Sequence, residues 1–509
     1  MLVLLGTFVS LLGSSADMNI SNLSVDTLQR RTGTGGDERT TEGSSEAAAG
    51  TFSKASLLTS GAFFLIYLLL SARRHATNLS TGYDLGIFTQ IAKSYSELTA
   101  PYSDLKGPAY NTLGDHFHPI LALLGPAYKI FPSSYTLLVC QAALVAFSIA
   151  PLMKWAYQVK GRKFAYWIGI SYGASWGIAE LISFDFHEVA FAVPLLSLSL
   201  CAAGQKNWRS AALWSIPLVL VKEDLGLTVA AIGVYVAWKG PRVTGLVVAA
   251  FGAGATALEM LVVLPYFNPL GQFAYWPPEA AQEVGLLMQV TGAFWPPVKW
   301  LTLLLIVAPT GFLALRSPIL LVALPTLAWR FTSENPFYWG TGFHYSAVLM
   351  PVAFAAAVHA VATGVPSRRV VPACVIGAVA TSVTFFTHPL HELVLPRTWS
   401  ESAHVKAADE LLEEIPDGAT VAASNRLAAQ LADRATVSEV CLFPRSFPPK
   451  EPAQWVIYDV TDNTDPDCAT GARLEAPSPG LAGYRVVETR DGISLLKRID
   501  DRKSGNTGH

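Results

Sequence analysis

Apolar runs of bilayer length decide what this chain can fold into. The first clear one covers residues 55–72, and others recur near 135–157, 164–182, 186–203, 209–221, 225–238, 243–265, 298–315, 317–329, 346–364 and 370–387. A helix crosses a bilayer with about 20 such residues, so the pattern predicts a mainly α, polytopic transmembrane bundle of about eleven spans. The shorter runs need tilt, local thinning or a partly re-entrant path. Only 15% of the residues are charged, against roughly 25% in soluble domains, which agrees with a chain immersed in lipid. A formal net charge of −2 supplies no basic surface for nucleic acid.

Polar segments frame this transmembrane region, 55–387. Residues 1–54 read as a disordered tail: an apolar start without the basic residues of a secretory signal, then a stretch rich in Ser, Thr, Gly and Glu. Charge returns after the last run, and 388–500 read as a small α/β domain. A helix is expected over 405–415, strands over 420–424 and 455–460, and a hairpin over 484–488 and 494–497 turning at Asp491-Gly492. Residues 501–509 read as a second tail. Cys140, Cys201 and Cys374 lie in apolar runs and suit packing, whereas Cys441 and Cys468 fit a disulfide if their region lies outside the cytoplasm.

Basic residues orient the stack. Lys160, Arg162 and Lys163, then Lys206 and Arg209, Lys239 and Arg242, Arg316, and Arg368 and Arg369 occupy alternate loops, which should be cytoplasmic. Arg73 and Arg74 break the rule. The opposite side receives the C-terminal domain, Trp276-Pro277-Pro278, Glu334-Asn335-Pro336 and a long first external loop over 73–118. In that loop Leu85, Phe88, Ile91, Tyr95 and Leu98 recur at helical spacing, as in an amphipathic helix lying on the membrane surface. Residues 119–131 are short for a span and read as a second interfacial or re-entrant helix.

The same side gathers the ionisable clusters. They are Asp84, then Asp115, His116 and His118, then Asp185, His187 and Glu188, then Lys222, Glu223 and Asp224, and finally His344 and Tyr345. Ionisable groups at membrane depth are costly and are kept for ion, proton or substrate chemistry. Each has a plainer reading as well. Asp84 suits a helix N-cap or a general base that deprotonates an acceptor hydroxyl. Asp115, Asp185, His187 and Glu188 suit structural hydrogen bonds or a divalent cation such as Mg, Mn or Ca. His116, His118, Lys222, Glu223, Asp224, His344 and Tyr345 suit self-neutralising pairs and interfacial anchors, or substrate binding with Lys222 on a phosphate. The zincin spacing of two histidines is absent, which excludes that protease class.

Taken in order, Tyr83-Asp84-Leu85-Gly86-Ile87-Phe88, Gly114-Asp115-His116-Phe117-His118-Pro119, Phe184-Asp185-Phe186-His187-Glu188, Lys222-Glu223-Asp224-Leu225-Gly226 and His344-Tyr345 resemble one family. It is the bacterial and archaeal membrane protein family called domain of unknown function 2079, and the resemblance covers about residues 58–460. That family is distantly similar to the GT-C membrane glycosyltransferases, which use polyprenyl-phosphate sugars and keep an acidic catalytic base early in the first external loop. The resemblance implies that Asp84 is such a base, that a lipid-linked sugar donor enters from the bilayer, and that the acceptor belongs to the cell envelope. It departs from the GT-C pattern in two ways: Leu85 follows Asp84 where many members carry a second acid, and the His-rich motifs are not a general GT-C feature. The rival expectation is a transporter or flippase for a polar or lipid-linked solute, for which the two halves show no internal repeat.

Overall fold

The computed structural model describes residues 38–275, 291–292, 294–440, 452–464 and 483–499, with side chains from residue 52 onward. The Trp276-Pro277-Pro278 loop, Cys441, Cys468 and the two extreme ends lie outside the described residues. The chain divides into two units, Met1–Thr51 and Phe52–His509. In the first, residues 38–51 are helical. The second holds the long apolar helices and the C-terminal sheet.

This second unit is mainly helical. Among the described residues five helices are long and apolar enough to cross a membrane: α1 (Phe52–His75), α2 (Ser134–Lys160), α3 (Arg242–Phe267), α4 (His344–Ala362) and α5 (Ser367–Thr387). Five apolar helices are shorter: Pro119–Ile130, Val189–Gly204, Leu225–Lys239, Val298–Thr310 and Pro318–Thr332. The apolar run over 164–182 is broken into Arg162–Gly173 and Trp176–Ser183, and the run over 209–221 into the helix Trp208–Ser215 and a tighter turn, Ile216–Leu220. Leu225–Lys239 and α3 pack backbone to backbone. A Cβ on Gly226 would meet the Gly252 carbonyl oxygen at 2.6 Å, and one on Gly233 would meet the Ala249 nitrogen at 2.4 Å. Small residues permit such approach between helices in lipid.

Among the described residues the C-terminal stretch forms one five-stranded sheet. Its strands are Thr420–Ala423, Thr436–Glu439, Trp455–Asp459, Tyr484–Arg490 and Ile493–Arg498, flanked by the helices Ala403–Glu413 and Asn425–Leu431. Thr420–Ala423 pairs in parallel with both Thr436–Glu439 and Trp455–Asp459, and Ile493–Arg498 runs antiparallel between Trp455–Asp459 and Tyr484–Arg490. The final hairpin turns at Asp491 (φ 45°) and Gly492 (φ 82°), the positive values a two-residue hairpin requires.

The helix Ile87–Ser96 corrects one expectation. Leu85, Phe88 and Ile91 are buried inside the protein rather than laid on a membrane surface, and Leu98 sits beyond the helix end, exposed. The helix is wedged between Gly125, against which a Cβ would touch the Tyr95 carbonyl, and the sheet, where Gln90 Nε2 donates to the Val437 carbonyl at 2.9 Å. The same periodicity serves either partner, so sequence alone does not choose between them.

Arg73 and Arg74 are spent on tertiary bonds. Arg74 Nη1 forms a salt bridge with Glu392 at 2.7 Å, and Arg73 donates to the carbonyls of Thr398 and Ser400. Both side chains at the end of α1 are thus held in contacts within the fold.

Candidate functional site

A cavity of about 540 Å³ receives all but one of the singled-out residues: Asp84, Asp115, His116, His118, His187, Glu188, Lys222, Glu223, Asp224, His344 and Tyr345 line it. Asp185 does not. These side chains arrive at one end of many elements. His187 and Glu188 precede Val189–Gly204, Lys222 to Asp224 precede Leu225–Lys239, and His344 opens α4. Asp84 stands on a widened helical turn, Gly82–Gly86, of the kind often found at functional sites.

One wall consists of ion pairs. Lys222 Nζ meets Glu188 at 2.8 Å, Lys106 Nζ meets Asp115 at 2.9 Å, and His116 Nδ1 meets Glu223 at 2.8 Å. Burial pulls the Lys222 ammonium down, but Glu188, Glu223 and Asp224 outweigh it and keep the amine charged well past the usual range. For Asp115, burial favours the neutral acid, yet Lys106 and His116 hold the carboxyl below its usual value. Burial and Lys222 oppose a charge on His116, and Glu223 with Asp115 raise it nonetheless. His116 also stacks on Tyr275, ring centroids 4.7 Å apart, and Tyr275 donates its hydroxyl to Asp115 at 2.9 Å. The loop carrying these groups is seated by close backbone approach: a Cβ on Gly114 would meet the Asn268 nitrogen at 2.5 Å.

Imidazoles make the other wall. His187 Nε2 lies 3.2 Å from Asp84 Oδ1, and Asp84 Oδ2 accepts from Thr81 Oγ1 at 2.7 Å. His187 stacks face to face on His344, centroids 3.8 Å apart and planes 24° from parallel. His118 Nδ1, His187 Nδ1 and both ring nitrogens of His344 are buried and make no hydrogen bond among the described residues. Burial lowers His118 to about 4, so that it is neutral at physiological pH. Backbone strain accompanies the stacked pair. Asp185, two residues before His187, has φ 61°, and Phe343, directly before His344, has φ 64°. Such conformations cost about 1–3 kcal/mol each and persist where surrounding contacts impose them.

Asp224 belongs partly to each wall. Trp329 Nε1 donates to its Oδ2 at 2.9 Å, while Oδ1 is buried without a hydrogen bond, and burial pushes the carboxyl up to about 6 despite Lys222. Asp185 is a brace instead: its oxygens accept from Ser80 Oγ at 2.6 Å and the Thr81 amide at 3.0 Å.

The four residues considered for a divalent cation are thus not gathered at one point. Asp115 is held by Lys106 and Tyr275, Asp185 by Ser80 and Thr81, Glu188 by Lys222, and His187 by Asp84. Among the described residues no group of three His, Cys, Asp or Glu side chains is placed to hold a metal ion. These residues do not fit such an ion, and the chemistry derived from them uses none.

Sequence reasoning missed several contributors. Lys106 and Tyr275 reach the cavity from loops without any local pattern. Arg330 had a signal, since it closes an apolar run. It is fully buried and donates to the carbonyls of Tyr338 at 2.6 Å and Tyr345 at 3.2 Å, fixing the aromatic edge of the cavity.

Long apolar helices with a shared, ion-paired cavity at one end define a multi-pass membrane protein. The particular family follows from the sequence: residues 74–495 match the family described as "Predicted membrane protein (DUF2079)", and the chain belongs to it. No curated protein matches. Among solved structures, the chain is similar to the crystal structure of ArnT from Cupriavidus metallidurans bound to undecaprenyl phosphate. That likeness has 13% identity and a TM-score of 0.45, covering 87% of this chain and 98% of that one. So remote a likeness supports no argument about chemistry.

Proposed function

We propose that the protein is an integral-membrane glycosyltransferase with a GT-C-like, eleven-crossing bundle. It would move a sugar from a polyprenyl-phosphate donor to a cell-envelope hydroxyl on the extracytoplasmic face. One observation carries the reading. The cavity that holds the Asp84–His187 pair and Lys222 is also lined by Leu227, Thr256 and Met260, which belong to apolar helices. A ligand with a charged head and a long apolar chain fits such a space.

In this scheme Asp84 takes the proton of the acceptor hydroxyl as that oxygen bonds to the anomeric carbon. The bond from the anomeric carbon to the phosphate oxygen breaks, and its electron pair leaves with the polyprenyl phosphate. Lys222 balances the leaving charge. Its ammonium has three N–H donors and gives one to Glu188, keeping two for phosphate. His118, neutral, donates a further bond; one ring nitrogen of His344 donates to a sugar hydroxyl while the other, with Asp224 Oδ1, accepts from sugar hydroxyls.

Orientation supports the same side for the chemistry. The cavity groups sit at the ends of Val189–Gly204, Leu225–Lys239 and α4 opposite to Lys206 and Arg209, Lys239 and Arg242, and Arg368 and Arg369. Lys160 Nζ bonds Ser367 at 2.8 Å, which joins two of the basic loops. With those loops cytoplasmic, the cavity and the C-terminal sheet face outward.

The test is turnover of undecaprenyl-phosphate-linked sugars in membranes. Asp84→Asn is expected to lower it by about 10²–10⁴-fold at equal protein level. Undiminished transfer by that variant would remove Asp84 as base, and absence of turnover with every donor tried would turn the reading toward transport.

A further inference from the structure

The turn that carries Asp84 is gripped from two directions. On the membrane-helix side, Asp185 accepts from Ser80 and the Thr81 amide, and Thr81 in turn donates to Asp84. On the other side stands the C-terminal sheet. Asn425, at the start of the helix Asn425–Leu431, accepts the Tyr83 amide through Oδ1 at 2.9 Å. Its Nδ2 donates to Thr464 Oγ1 at 3.0 Å, so the amide is locked in one orientation. The Tyr83 hydroxyl donates to Glu439 at the end of a strand. Gly82 lies so close to the same helix that a Cβ there would meet Ala428 Cβ at 2.8 Å and the Asn425 carbonyl oxygen at 3.1 Å. These contacts join residues more than 340 positions apart, bracketing the one carboxylate on the turn.

We propose that the C-terminal sheet is a working part of the cavity, setting the Asp84 carboxylate through Asn425 and the Gly82–Ala428 contact, with Asp185 as the opposing brace. The proposal rests on the reading of Asp84 as base. Asn425 and Asp185 are positioning residues: neither lines the cavity, and both act on the backbone that aims Asp84. A wide helical turn has few internal bonds to fix its own geometry, so outside groups must supply that precision. Displacement of a reacting group by about 1 Å costs on the order of 10²-fold in rate.

The experiment uses the full chain in lipid nanodiscs with undecaprenyl-phosphate-linked sugars as donors. It reads both turnover and amide hydrogen exchange across residues 80–90. Asn425→Leu removes both side-chain bonds at similar size, and Gly82→Ala pushes the turn off the helix without deleting a hydrogen bond. Each should raise exchange at Tyr83 and its neighbours and lower kcat by about 10²-fold with KM unchanged. Asn425→Asp, which keeps the acceptor for the Tyr83 amide, should restore most of the rate. Adding Ala428→Gly to Gly82→Ala should do the same by reopening the space. Unchanged exchange at the turn in both primary variants overturns the proposal, as does raised exchange with undiminished kcat. Retained turnover in Asp84→Asn removes the base reading, and the proposal with it. It is told apart because the grip itself would still be visible in the exchange of Asn425→Leu.

Discussion

On one wall of the cavity the charges are spent on each other: Lys222 on Glu188, Lys106 on Asp115, His116 on Glu223, each pair within 3 Å. Among the imidazoles of the same cavity one meets Asp84, while four buried ring nitrogens across His118, His187 and His344 make no hydrogen bond among the described residues. Both sets are ionisable and line one cavity, yet their hydrogen-bonding capacity differs. Closed pairs can shape a cavity and stay charged without leaving it. Polar atoms without partners cost stability in the resting protein and keep their capacity for a ligand. Under the proposed function, that division would give charge balance to the first set and recognition to the second.

The largest effect expected from this contrast is at Lys222. Removing one member of a buried pair leaves the other uncompensated, so Lys222→Met should destabilise by about 3–5 kcal/mol. Replacing both, as Lys222→Met with Glu188→Leu, should recover most of that stability but not turnover. Thermal unfolding in nanodiscs measures the first part. A single variant as stable as wild type would mean that the pair is not closed.

The imidazole wall should respond in the opposite sense. His344→Phe keeps a ring stacked on His187 and deletes two buried nitrogens that have no partner. It should stabilise the protein by about 1–3 kcal/mol while lowering turnover. Lowered stability in this variant would show that the His344 nitrogens are satisfied in the resting protein, and the contrast between the walls would fall.

How much of this was legible in the sequence depends on the range of the interaction. The strands at Trp455–Asp459 and Ile493–Arg498 fall where an apolar run and an Asp-Gly turn put them, because those signals are local. Thr436–Glu439 and the helix Asn425–Leu431, by contrast, are short and gain their form from neighbours. Convergence of the clusters was readable from the alternation of basic loops, since helix ends on one side must meet there. Pairings were not. Asp185 sits beside His187 in sequence, yet it turns away to hold Ser80 and Thr81, a choice made by its positive φ. The Arg74 pairing was hidden for the same reason: its partner Glu392 is 318 residues distant, and charge counting cannot see it.

Asp224 offers the finest test, because it shares the character of both walls. Burial raises its carboxyl to about 6, against Lys222, while the unfolded chain titrates near 4. The folded protein therefore binds this proton more tightly. The stability it contributes is fully present below about pH 4 and is lost as pH rises through about 6. An amide in its place carries no charge at any pH, and the amide oxygen can still accept from Trp329. The Asp224→Asn variant should then match wild type near pH 4 and become progressively more stable than it toward pH 7, as read by thermal unfolding at each pH. His118 and Asp185 titrate in both proteins, whereas His116, Glu223 and Lys222 couple to the Asp224 charge and their response is part of the difference that is read. A difference of the opposite sign would mean that Lys222 and Trp329 outweigh burial, placing Asp224 with the closed pairs rather than with the groups left free for a ligand.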